Sequence, residues 1–447
     1  MTAYDRIRFI GYPIPTDHQT EFAVGNVGNM MVGTYLGDDD LHTDVAKRVA
    51  VLSHAVTTAK ALLPSDEEPG SVLNVFVAPE FFWHGTQGPY VFQPDERDPA
   101  EVILEAVDAA FPAEDFADWL LVCGTVISTQ VADRHALWAE PSIDVRNDTV
   151  RALTEQYRKA SGAITSLVYD MLRGFVVQCH SYPNVEVRNR SIVLSRVPVD
   201  GVRATLQATL LTTEKYYDSN EDFLLYDVTG RRDVITEQMT AYPILDLTGG
   251  DDKRDPRDPY AIFRHVYGVD DHADIGVEIC LDHADNRLRR SIASPAWPVK
   301  PDGLHLHLLP SCGMQLTRDG IAAGVGGWAF NCDGEYAIAG DHPTGTPTAG
   351  SPNGVTSIYT DVVSEVSAHY SGHTQLARVT SAAQGGDPRD LASRSASYET
   401  LDADIATVHP VTALDDLGSV FAGGPGALHI YGLTSPLPFS RTPASAD

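Results

Sequence analysis

Lysine is scarce in this chain: only six of its 32 basic residues are lysine, at positions 47, 60, 159, 215, 253 and 300. Where arginine is the default cation, a lysine set among strand-forming residues is conspicuous. No CxxC pair occurs among the five cysteines (Cys123, Cys179, Cys280, Cys312 and Cys332), so no structural zinc motif is present. Their odd number and scatter also speak against a disulfide framework. No apolar stretch approaches the roughly 18–20 residues that span a bilayer. The opening MTAYDRIRFIGYPI lacks a basic region, apolar core and cleavage site in that order, so no signal peptide is expected. Reduced thiols in a cytoplasm are the corresponding expectation. Bases are outnumbered by 61 acids, and the net charge of −29 repels phosphate backbones and anionic lipid. Neither nucleic acid nor membrane is an expected partner.

What is present describes a soluble, turn-rich globular chain: 447 residues, 43% hydrophobic, with 36 glycines and 28 prolines. Apolar residues at 45, 49, 52, 55 and 56 form a helical stripe within 41–63, and a second helix pattern follows at 99–111. RIRFIGYP (6–13), SVLNVFVAPEFFW (71–83), WLLVCGTVIS (119–128) and LHLHLLPS (304–311) read as strands. So do three segments between 174 and 217 and the apolar run before Cys280. The alternation predicts an α/β fold with helices covering mixed sheets. Residues 14–40, 129–162 and 249–260 read as insertions in a domain of residues 1–335. Residues 336–447 read as a C-terminal extension, packed on the same domain or used in oligomer contacts.

Cys280 sits where the run Ile275-Gly276-Val277-Glu278-Ile279 gives way to a helix-like segment. A strand that turns sharply into a helix exposes the residue at the turn, the logic of a nucleophile elbow. A following helix N-terminus would also favour a thiolate. Against this stands the ordinary fate of a free cysteine, which is to be a small buried hydrophobe. Glu80 closes a strand beside Pro79, Phe81, Phe82 and Trp83, surroundings expected to raise a carboxyl pKa towards that of a general base. A strand-end carboxylate turned to solvent is the plainer alternative. Lys215 ends the strand ATLLTTEK, where an ammonium could stabilise an oxyanion or merely blunt a sheet edge.

Glu80, Lys215 and Cys280, in that order, resemble the triad of the nitrilase (carbon–nitrogen hydrolase) superfamily. The local contexts are Ala78-Pro79-Glu80, Leu210 through Lys215, and Gly276-Val277-Glu278-Ile279-Cys280-Leu281-Asp282. Pro310-Ser311 and VRNRSIVLS are similar to two further family segments. The resemblance covers roughly residues 5–335. The spacings are wide, and HADNRLRR delays to Arg287 an arginine that the family places sooner. The resemblance implies a four-layer α-β-β-α sandwich, paired into a homodimer or larger homo-oligomer. It implies hydrolysis of a small-molecule amide, or a nitrile, through a cysteine thioester, with no metal or organic cofactor. Glu80 would be the base, Lys215 and the Leu281 N–H the oxyanion donors, and Asp282 a further positioning group. A second substrate-placing glutamate would be Glu221 or Glu237, Glu221 lying nearer the lysine. The aromatics Trp83 and Tyr90 allow an aryl or apolar substrate.

Three other readings compete. His305 and His307, two apart on a strand, point to one face and offer half of a metal-dependent hydrolase site. A nitrilase-like fold could bind without turnover. The same triad could serve an acyl or amide transferase.

Overall fold

The computed structural model describes residues 4–16, 19–23, 31–86, 88–131, 156, 159, 186–196, 209–215, 224–226, 233–235, 261–266, 272–284, 286–292, 304–334, 373–381, 397–401, 406–421 and 423–439. The segments 129–162 and 249–260 lie almost wholly outside them, as do Glu221, Glu237 and Cys179.

The chain opens with β1 (Arg6–Gly11), the small hairpin of β2 (Gln19–Ala23) and β3 (Met31–Thr34), and helix α1 (Leu41–Leu62). The hairpin falls within residues 14–40. Next come β4 (Val72–Ala78), β5 (Tyr90–Phe92), α2 (Pro99–Ala110) and β6 (Trp119–Gln130). β7 (Glu186–Ser195) and β8 (Thr209–Glu214) are followed by the short pair β9 (Leu224–Tyr226) and β10 (Asp233–Ile235). β11 (Ile262–Val266) and β12 (His272–Val277) lead into the short helices α3 (Leu281–Ala284) and α4 (Arg287–Ile292). The remainder is strand: β13 (Leu304–Ser311), β14 (Ala323–Asp333), β15 (Gln375–Ser381), β16 (Ser397–Thr400), β17 (Ala406–Pro410), β18 (Ala427–Tyr431) and β19 (Leu437–Pro438).

Two large sheets result, and the fold is mixed α/β. The first runs β17-β18-β1-β4-β6-β7-β8, with β19 beside β1 and β5 beside β6. Its centre, β1-β4-β6, is parallel, and the pairs beyond β6 are antiparallel. The second runs β11-β12-β13-β14-β15-β16, with β12, β13 and β14 parallel. Residues beyond 336 are woven into both sheets: β15 and β16 extend the second, and β17 to β19 join the first beside β1.

Strand alternation sorts the side chains into two cores. Phe9, Val75, Val77, Leu120 and Val122 from the first sheet pack with Ile275, Val277, Leu306, Leu308 and Phe330 from the second. Their alternates Ile10, Phe76, Ala78 and Leu121 face the other way, onto Leu52, Val56, Ile103 and Val107 of α1 and α2. Each such fully buried aliphatic or aromatic side chain contributes roughly 1.5–3 kcal/mol. Both helices start on aspartate caps. Asp40 accepts from the Thr43 N–H, and Asp98 from the Ala100 N–H with Pro99 at the first helical position. Among the described residues no helix is long and apolar enough to cross a membrane.

This arrangement gathers the ends of β4, β8, β12 and β13. The Ser311 carbonyl accepts both the Glu80 N–H, at 3.2 Å, and the Gly334 N–H, at 2.9 Å, and so ties the end of β4 to the second sheet.

Candidate active site

Glu80 follows β4 and is fully buried. Its turn is held by an irregularity in β6, where the register shifts between Val122 and Thr125. Gly124 there has φ +77°, and a Cβ at this position would lie 2.6 Å from the Pro79 carbonyl and 2.7 Å from Phe82 Cβ. Only glycine admits both the left-handed backbone and so close an approach. Thr125 then secures the turn: its Oγ1 accepts the Phe81 N–H at 3.0 Å and its carbonyl accepts the Trp83 N–H at 3.1 Å. Phe81 itself has φ +58°, a strained conformation for an aromatic residue.

The Glu80 carboxylate receives two donors on Oε1, the Asn189 Nδ2 of β7 and the Lys215 Nζ, each at 2.9 Å. Lys215 lies just past β8, and its backbone N–H is anchored on the Asn189 carbonyl at 2.8 Å. Its ammonium lies 5.5 Å from the centre of the Phe81 ring. The lysine side chain is 2% exposed and the glutamate 0%, so this ion pair is shut away from water.

Cys280 stands at the end of a continued ladder. Beyond β12, the N–H groups of Glu278 and Cys280 still bond to the Leu308 and Pro310 carbonyls of β13. At Cys280 φ turns to +45°, and α3 begins with the next residue, closed by bonds from Asp282 N–H to the Ile279 carbonyl and from His283 N–H to the Cys280 carbonyl. The thiol reaches the Cys312 carbonyl at 3.5 Å. Burial, then the negative charge of Glu80, hold its pKa well above the ordinary thiol value; Lys215 acts in the opposite direction, and a hydrogen bond to Glu80 adds to the rise. The expected thiolate-stabilising helix end is therefore outweighed. α3 has only four residues, and desolvation of a buried thiol dominates.

Glu80, Lys215 and Cys280 are thus brought together. Leu281 is half-buried at the start of α3. Asp282 is buried and pairs with Arg287 Nη1 at 2.7 Å. The same nitrogen also donates to the Glu214 carbonyl, next to Lys215. This pair clamps the elbow to the end of β8, a tie between segments that gives the late arginine a local role.

The His305–His307 pair divides. His305 Nδ1 accepts the Asp274 N–H at 2.9 Å. His307 instead lies with a carboxylate and a third histidine, Glu278 and His283, that stand at no recognisable ligand spacing from it in the sequence. Glu278 Oε1 is 2.8 Å from His307 Nε2 and 2.6 Å from His283 Nδ1, all three residues being buried. Three ligand atoms, one carboxylate oxygen and two imidazole nitrogens, within 4.8 Å of one another have the composition of a metal centre. The outer ring nitrogens decide the matter. His283 Nε2 accepts the Thr317 N–H at 2.9 Å, and His307 Nδ1 accepts the Ala322 N–H at 3.2 Å. Each acceptor nitrogen lacks a proton, so the proton of each neutral ring lies on the nitrogen facing Glu278. A metal there would require both rings to surrender those protons. Metal-bound histidines ordinarily donate, not accept, through the outer nitrogen. The donor set does not fit a cation.

No family model matches the chain, and no curated protein matches it.

Proposed function

We propose that this chain is a carbon–nitrogen hydrolase of nitrilase type, with the two sheets and their helices forming a four-layer sandwich, and that it cleaves a small-molecule amide, or a nitrile, through Cys280. The observation that carries this reading is the buried ion pair of Lys215 with Glu80 beside a thiol on a left-handed turn. A raised thiol pKa leaves sulfur protonated at rest, so attack needs a base in contact with it, and Glu80 is that base. Glu80 takes the thiol proton as sulfur bonds to the carbonyl carbon. The C=O electron pair moves to oxygen, where the Lys215 ammonium and the Leu281 N–H stabilise it. Collapse of the intermediate breaks the C–N bond, and the departing amine takes the proton from Glu80. Water, giving a proton to Glu80, then splits the thioester to the acid and returns the proton to sulfur.

Asn189 and Lys215, both donors to Glu80 Oε1, orient the carboxylate so that its proton traffic runs towards the thiol. The same groups would serve transfer to an amine in place of water. A panel of simple aliphatic and aryl amides and nitriles, assayed for ammonia or amine release, tests the proposal. Release by the wild type that Cys280→Ala abolishes supports it, and release that survives in Cys280→Ala sinks it.

A further inference from the structure

We propose that Glu278, His283 and His307 are positioning residues for Cys280, a proton-locked clamp that holds the elbow in its left-handed turn. The inference rests on the reading of Cys280 as nucleophile for its kinetic consequences, but not for its chemical ones.

Four segments converge on one carboxylate. Glu278 itself belongs to the ladder that ends at Cys280, two residues on. Its Oε1 faces His283, at the end of the turn that Cys280 begins, and His307 of β13. Its Oε2 accepts the Leu288 N–H at 3.0 Å, in the first turn of α4. The residues before the thiol, the turn after it, the following helix and the neighbouring strand are thereby fixed to one point.

Each imidazole is fixed in turn by a backbone donor from the 317–322 segment, Thr317 on His283 and Ala322 on His307. Hydrogen bonds on both nitrogens set the ring orientation and tautomer of His283, while His307 is held through Nδ1 with its Nε2 lying 2.8 Å from Glu278 Oε1. Of the charged groups on α3 and α4, Arg287 pairs with Asp282, and Arg289 Nη1 donates to the Asp319 carbonyl at 2.7 Å. The Glu278 side chain is sealed from solvent, and its oxygens face the ring nitrogens of His283 and His307 and the Leu288 N–H.

The test exploits amide isosteres. An asparagine at 283 can offer an N–H where Nδ1 stood, and a glutamine at 307 can offer one where Nε2 stood; alanine at either site offers none. In full-length protein, the rate of iodoacetamide alkylation at Cys280, located by peptide mass, is measured against pH for Glu278→Gln, His283→Asn, His283→Ala, His307→Gln and His307→Ala. Cys332 serves as an internal control, and amide hydrolysis is measured alongside. A loosened elbow leaves the thiol less buried and farther from Glu80. The alanine variants and Glu278→Gln should therefore alkylate at lower pH than wild type. Their kcat should fall on the order of 100-fold, as for a displaced reacting group, with KM nearly constant.

His283→Asn and His307→Gln should lie close to wild type. If Glu278→Gln does not fold, the alanine and isostere pairs decide. Alkylation profiles that superimpose on wild type in the alanine variants would overturn the clamp, as would isosteres no better than alanine. One equivalent of zinc bound by wild type and lost in His307→Ala would replace it with a metal centre. Hydrolysis that survives in Cys280→Ala would sink the nucleophile reading alone, because the alkylation profiles still report on the clamp.

Discussion

Lys215 and Glu80 form a 2.9 Å ion pair across 135 residues of sequence, both side chains sealed from solvent. Two such charges are seldom kept buried for stability, because the desolvation of each nearly cancels their attraction. Here the pair lies beside the only thiol whose turn has positive φ among the described residues. Its placement makes chemical sense if the carboxylate must be held charged and aimed.

Removing one partner should expose that cost. Lys215→Met should lower stability by roughly 3–5 kcal/mol, measured by urea denaturation, since Glu80 would be left as an uncompensated buried charge. Lys215→Arg keeps the charge but must fit a planar guanidinium against Phe81, and amide turnover should fall on the order of 100-fold or more. Turnover near wild type in that variant would remove Lys215 from the mechanism.

The turn at Glu80 depends on a glycine in another strand. Gly124→Ala adds a methyl group where the Pro79 carbonyl and Phe82 already stand, in a backbone region that alanine avoids. Loss of stability by about 1–3 kcal/mol is expected. Activity should fall with it, read as a lower kcat in protein that remains folded by circular dichroism. A variant as stable and as active as wild type would contradict the close packing described.

Much of this framework is legible in the sequence, for identifiable reasons. WLLVCGTVIS and LHLHLLPS are buried on both faces, so their apolar character is continuous and their positions as β6 and β13 can be read directly. β14 is buried nearly as well, yet AGVGGWAFNCD carries three glycines and looks like a loop. Glu278 hides inside an apolar run and passes for a strand interior. His307 is conspicuous, but i,i+2 logic pairs it with His305, whereas its partners come from an adjacent strand and a helix. Contacts between elements leave no local periodicity. The resemblance at three short motifs gathers Glu80, Lys215 and Cys280, but offers no sign of the Asp282–Arg287 clamp reaching the carbonyl before Lys215.

That clamp gives a third prediction. Arg287→Ala leaves Asp282 buried without its guanidinium and frees the end of β8 from the elbow. A loss of roughly 3 kcal/mol in stability is expected, together with a fall in kcat. Arg287→Lys should recover part of the stability but not the bridge to both Asp282 and the Glu214 carbonyl. Equal stability of Arg287→Ala and wild type would show that the clamp does not bear load.

Acid should destabilise the protein in two stages. Burial would raise the Glu278 pKa, but the two imidazoles outweigh it and hold the carboxyl at about 2. A lowered carboxyl pKa contributes stability above its unfolded value near 4.5, and this is lost as pH falls through about 2. Burial lowers His429 to about 3, and burial also lowers His283 despite the pull of Glu278. These rings take up protons less readily in the fold than in the unfolded chain, which protonates them below about 6.5, so stability should already decline from there. Urea midpoints measured from pH 7.5 to 3.5 should fall throughout. Glu278→Gln should flatten the decline below about 4.5 more than the decline above it. A midpoint constant across the range would refute the lowered pKa of these buried histidines.

If Cys280 carries the acyl group, intact mass after acid quench should catch it there. Wild type mixed with a reactive aryl ester, or with any amide it hydrolyses, is stopped in acid within its first turnovers, which preserves a thioester. One added acyl mass is expected, mapped to the peptide containing Cys280. That mass should be absent in Cys280→Ala and markedly reduced in Glu80→Gln, where the amide keeps the shape but accepts no proton. Turnover with no adduct at Cys280, or with an adduct equally present in Cys280→Ala, would contradict it.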